Sequence, residues 1–129
     1  MPQFDQFPIP TKRPSEVSQE LRAALGINSP VVELPFASNL VLDVTDGYSR
    51  FITLTGDVTN FTITDSQLGD NGVIEIKQDA TGGWVFASAY TVLTGELASI
   101  TNITPTTGLL TMSWYHSNDG IVLYLSEPT

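Results

Sequence analysis

From residue 36 onward the chain repeats one pattern: a short run of alternating apolar and polar residues, then a turn rich in Gly, Asp or Asn. Alternation with period two puts successive side chains on opposite faces of a strand. Many short strands joined by turns have few compact solutions besides packed or rolled sheets. The runs are Leu40-Val-Leu-Asp-Val-Thr45, Arg50-Phe-Ile-Thr-Leu-Thr55, Val58-Thr-Asn-Phe-Thr-Ile-Thr64 and Gly72-Val-Ile-Glu-Ile-Lys77. They continue with Trp84-Val-Phe-Ala-Ser88, Leu109-Leu-Thr-Met-Ser-Trp-Tyr115 and Gly120-Ile-Val-Leu-Tyr-Leu125. Asp46-Gly47, Asp79–Gly83 and Ser117–Gly120 read as hairpin turns between neighbours. The expected fold is all-β: an antiparallel β-sandwich or jelly-roll-like domain over residues 36–129. Ile52, Leu54, Phe61, Ile63, Ile74 and Ile76 should face the core, with Thr53, Thr55, Glu75 and Lys77 outward.

Two strands break the alternation. Leu109, Leu110, Met112, Trp114 and Tyr115 put apolar groups on both faces, as does the run from Ile121 to Leu125. Such strands are expected where a second surface covers the sheet. That surface is either the N-terminal part of the chain or a neighbouring subunit.

Residues 1–35 differ in kind. Six of the prolines (Pro2, Pro8, Pro10, Pro14, Pro30, Pro35) and three basic residues (Lys12, Arg13, Arg22) lie there. Proline fixes φ and pushes the preceding residue towards extended geometry, so residues 1–14 read as an extended arm. Ser15 to Leu25 reads as a short helix, with Ser15 as N-cap, Glu16 in the first turn and Gly26 at the C′ position. Phe4, Phe7 and Ile9 on the arm, and Val17, Leu21 and Leu25 at i, i+4 and i+8 on the helix, are the candidate partner-binding residues. Apolar groups on an extended arm mark an interaction site. The arm docks either on another protein or back on its own domain.

Charge and composition narrow the function. The net charge is -9 and cysteine is absent. Nucleic-acid binders displace counterions with a basic surface, so neither nucleic acid nor an anionic membrane is an expected partner. No thiol catalysis, disulfide or thiolate metal site can form. No apolar run approaches the ~18 residues of a membrane span, and the N-terminus has no targeting pattern. His116 stands beside Ser117 and Asp119, but a catalytic relay draws its members from separate segments. Asp43, Asp46, Asp57, Asp65, Asp70, Asp79 and Asp119 fall at strand ends and turns, where aspartate closes the backbone. The loop from Asp65 to Gly72 lacks the register of a calcium loop. No catalytic residue, cofactor or metal site is expected. Tyr48, Tyr90 and Asp119 are the residues around which a sugar platform would be sought, and Trp84 and Trp114 read as core.

Ile52-Thr-Leu-Thr-Gly-Asp-Val-Thr59, Phe61-Thr-Ile63 and Gly72–Gly83, with its Ile-Lys-Gln-Asp-Ala-Thr-Gly-Gly ending, carry a resemblance. With Ser113-Trp-Tyr-His-Ser-Asn-Asp-Gly-Ile-Val-Leu-Tyr-Leu125, they resemble a β-rich module of tailed-bacteriophage virion structural proteins, of the head-decoration and fibre type. The resemblance covers residues 50–125 and implies a non-enzymatic virion component. In a chain this short, without a repetitive shaft, it implies a capsid decoration or head accessory protein attached by its N-terminal arm. The expected partners are capsid or other virion proteins and further copies of the chain, a trimer favoured. The expected location is the virion. The alternative is a tail- or fibre-associated module that recognises a host glycan.

Overall fold

The structure is a computed structural model, which describes residues 31–129. The arm and the helix, with Phe4, Phe7, Ile9, Val17, Leu21 and Leu25, lie outside the described residues. The described part is all-β. Its strands are β1 (Val32–Glu33), β2 (Asn39–Asp43), β3 (Arg50–Leu54), β4 (Asn60–Thr64), β5 (Asn71–Gln78), β6 (Thr91–Thr94), β7 (Leu110–Ser117) and β8 (Gly120–Leu125). Short 3-10 turns occupy Val44–Asp46 and Leu97–Asn102.

Six strands form one sheet in the order β1-β3-β5-β7-β8-β6, and β2 and β4 form a second. Inward residues of both sheets merge into one apolar cluster: Ile52, Ile74 and Met112 from the large sheet meet Leu42 and Phe61 from the small one. Phe61 is fully buried, tilted against Phe86 and edge-on to Tyr90. The inward positions predicted from the alternation of β3, β4 and β5 are all buried. Burying such side chains stabilises by about 1.5–3 kcal/mol each relative to exposure.

The pairing corrects the antiparallel expectation. β1–β3, β3–β5, β2–β4 and β6–β8 are parallel, and only β5–β7 and β7–β8 are antiparallel. Through the first five strands the chain alternates between sheets, so each strand pairs with the one two steps away. Two reversals restore its direction, and parallel ladders follow. Asp46-Gly47 therefore closes no hairpin. Asp43 caps the Val44–Asp46 turn, accepting from Thr45 N at 3.0 Å and Thr45 Oγ1 at 2.7 Å. Gly47 then takes a φ of +140°, and the chain passes into the large sheet. A period of two reports which face a side chain occupies and is blind to which strand lies alongside.

Trp84–Ser88 is likewise no strand paired to β5. Val58 N donates to Val85 O and Ala87 N to Val58 O, a single parallel bridge beside Phe86. The N–H groups of Trp84 and Val85 go to the side chains of Gln78 and Asp57. The β7–β8 hairpin is present as expected, in continuous register from Met112↔Leu125 to Ser117↔Gly120. Two short edge strands, β1 and β6, went unpredicted, and β1 brings residues 32 and 33 into the large sheet ahead of residue 36. Arg50, only 5% exposed, holds β1 in place: Nε donates to Val32 O at 3.1 Å and Nη2 to Glu33 O at 2.8 Å.

Candidate functional site

The Gln78–Gly83 segment is built around two side chains. Gln78 is buried; its Nε2 donates to Trp84 O (3.1 Å) and Ile100 O (2.9 Å), and its Oε1 accepts from Trp84 N (3.3 Å). Asp79 Oδ1 accepts from Trp84 Nε1 at 2.8 Å and from the N–H groups of Thr81 and Gly82. The indole bond first, and the Gly82 N–H next, hold its carboxyl below the ordinary carboxylate value. Gly82 and Gly83 take φ of +69° and +76°, which glycine adopts without steric cost. These polar groups are spent on each other and on the loop. The chemistry available here is structural.

His116 lies in β7, and its Nδ1 shares a 2.8 Å hydrogen bond with Ser66 Oγ. Its backbone pairs with the preceding turn, through His116 N to Asp70 O and Gly69 N to His116 O. Ser117 Oγ donates to Gly120 O at 2.6 Å and accepts from Asp119 N at 3.1 Å. The structure thus gives His116 and Ser117 separate duties, one in a loop contact and one in the β7–β8 turn. Asp43 and Asp65 stand together at the ends of β2 and β4. Hydrogen bonding to Asp43, then repulsion by its charge, raises the Asp65 carboxyl, while the Thr45 hydroxyl and then its N–H lower Asp43. Among the described residues no three His, Asp or Glu side chains group as metal ligands.

The aromatic candidates separate. Tyr90 accepts from Ile63 N at 2.8 Å and donates to Ile63 O at 3.3 Å, so its hydroxyl is committed to β4. Trp114 is buried, with Nε1 donating to Tyr48 O, and Trp84 is half-buried against the core. Tyr48 stacks on Trp114 at 6.3 Å and remains 38% exposed. Asp119 sits at the turn after β7.

The sequence pointed to an apolar outer face on β7 and β8 and missed its continuation over β3 and β5 of the large sheet. By register, Phe51, Glu75 and Thr111 form one row across β3, β5 and β7, and Val73, Ser113 and Tyr124 form the next across β5, β7 and β8. Tyr115 and Val122 follow in a third row. Phe51 and Tyr115 are each 40% exposed, Val73 38% and Tyr124 36%, so this face is open along most of its apolar positions. Val122 alone is buried there. An open depression of about 270 Å³ lies at one end, among Phe51, Thr53, Glu75, Lys77 and Leu109. The signal was present in the sequence: Phe51 and Val73 hold polar-phase positions of their strands. Comparison with protein-family models, curated proteins and solved structures finds no match to the chain.

Proposed function

We propose that the protein is a non-enzymatic structural component of a tailed-bacteriophage particle, a capsid decoration or head accessory protein. In this reading the two sheets make a sandwich displayed outward. Phe4, Phe7, Ile9, Val17, Leu21 and Leu25 seat the N-terminal residues on capsid or other virion protein. The observation that carries the reading is the use made of the resembling residues. Ile52, Leu54, Phe61, Ile63, Ile74 and Ile76 fill the core, and Gln78 and Asp79 build the loop that follows. Residues spent in this way suit a scaffold whose work is to be held in place and displayed. Extended arms gain affinity by laying anchors along a partner, and copies on a lattice add avidity. The glycan-recognising alternative draws less support, because Tyr90, Trp84 and Trp114 commit their polar tips to internal bonds.

Immunogold electron microscopy of the parent particle, with antibody to residues 36–129, tests the assignment. Gold over the head supports it. Gold at the tail tip transfers the protein to the alternative, and unlabelled particles lacking the chain by mass spectrometry overturn both. Deleting residues 1–14 should release the protein from particles, and retained binding removes the arm from the attachment role.

A further inference from the structure

We infer that the outward face of the large sheet pairs with the same face of a second copy about a two-fold axis. The inference stands on that face alone and holds wherever the protein acts. Phe51, Val73, Tyr115 and Tyr124 lie exposed on adjacent strands of one sheet, not scattered over the surface. Tyrosine and phenylalanine are enriched in interface cores. With strands about 4.8 Å apart and about 3.3 Å of rise per residue, the six strands span about 24 Å and β5 and β7 run about 26 Å. That footprint, about 600 Å² at most, is below the roughly 800 Å² per partner of a standard interface and above the roughly 500 Å² of the smallest specific ones, which fits a weak, concentration-dependent dimer.

Charge selects the occupant. The chain is strongly acidic, so two copies repel over most of their surfaces. Among the described residues the only cations are Arg50, which is buried, and Lys77. Lys77 lies on the outward face, two residues along β5 from Glu75, and both line the depression beside Phe51. In a two-fold interface the contact of residue i with j is repeated as j with i. Strands β5 crossing antiparallel about an axis near Ile76 therefore set each Lys77 against the partner's Glu75, twice over. The one surface cation of the described chain sits where it offsets repulsion between identical faces. A threefold ring would use two different patches and gain nothing from this reciprocity.

Sedimentation equilibrium of the full chain, from micromolar to submillimolar concentration, tests the pairing. Wild type should show a monomer–dimer equilibrium. Lys77→Glu and Glu75→Lys, each alone, should weaken self-association on the order of tenfold or more through like charges. An equimolar mixture of the two variants should recover dimer, because the face carrying only acids then meets one with two lysines. Phe51→Asp should also dissociate the dimer while far-UV circular dichroism stays native, since Phe51 is outside the core. A monomeric wild type, a trimer, or variants that associate like wild type and gain nothing on mixing would each overturn the inference.

Discussion

Replacing Gln78 by Leu tests whether the loop after β5 is held by one buried amide. Leucine keeps much of the side-chain volume at a site that is 1% exposed, so the change isolates the hydrogen bonds. Three are lost: those to Trp84 O and Ile100 O, and the one from Trp84 N. A buried polar group left without a partner costs about 1–3 kcal/mol. The full penalty does not apply three times, since Ile100 O still accepts from Ile103 N and Trp84 is only half-buried. A loss of about 2–4 kcal/mol remains. At roughly 4–6 °C per kcal/mol for a domain of this size, Tm should fall by about 10–20 °C. Circular-dichroism melts would show the shift, and urea unfolding with an unchanged m-value would show that the native fold is retained. Gln78→Glu sharpens the test. Its carboxyl, raised by burial, favours the protonated folded state, so stability should be greatest at acid pH and fall as pH rises through the raised value. A Gln78→Leu protein melting within a degree or two of wild type would refute the reasoning, since water would then replace the amide freely.

Gly72→Ala should cost about 2–4 kcal/mol, because its Cβ would run into the Tyr48 carbonyl oxygen and lie 2.6 Å from Trp114 Nε1. Urea midpoints and a red shift of tryptophan emission would report it. The Asp79 carboxyl is lowered by Trp84 and the Gly82 N–H, so its contribution is present above the unfolded carboxylate value and lost as pH falls through the lower folded one. Trp84 emission should therefore change on acidification below about pH 4, and Asp79→Asn should flatten that change. Asp65 has the opposite sign: its raised value gives stability below the ordinary carboxylate value that is lost as pH rises, leaving repulsion from Asp43 at neutral pH. Asp65→Asn, at a φ of +65° that Asn tolerates, should raise Tm at neutral pH and lose the advantage in acid, read by melts at both.

The sequence made faces legible and neighbours illegible. Ile52, Phe61 and Ile74 announce inward positions because burial acts on each strand separately. Parallel pairing of β3 with β5 depends on the bends at residues 55–59 and 65–70, and short turns of that composition look alike whether they fold back within a sheet or cross to another. The burial of Arg50 was illegible, because nothing local shows that its guanidinium will satisfy the carbonyls of Val32 and Glu33. The last hairpin carries apolar groups on both faces, as its sequence implies, and no covering surface lies over the outer one among the described residues. Leu110, Met112, Trp114 and Leu123 point into the core, while Tyr115 and Tyr124 remain exposed on the other side.

That division bears on what the resemblance can carry. Its most specific residues, Gln78 through Gly83, bond to the loop they belong to, and its repeated isoleucines fill the core. A chain keeping those residues keeps an architecture, because their removal costs stability before it costs binding. Contact with a second copy, on the inference above, is set on the outward face by Phe51, Val73, Glu75, Lys77, Tyr115 and Tyr124, where substitution costs little folding energy and alters contact directly. The two kinds of variant should therefore part company. Gln78→Leu should lower Tm and leave the association constant of the remaining folded protein unchanged. Lys77→Glu should leave Tm within about a degree at monomer-dominated concentrations and change association alone. Tm and association that fell together in both variants would mean that scaffold and contact surface are not separable in this fold.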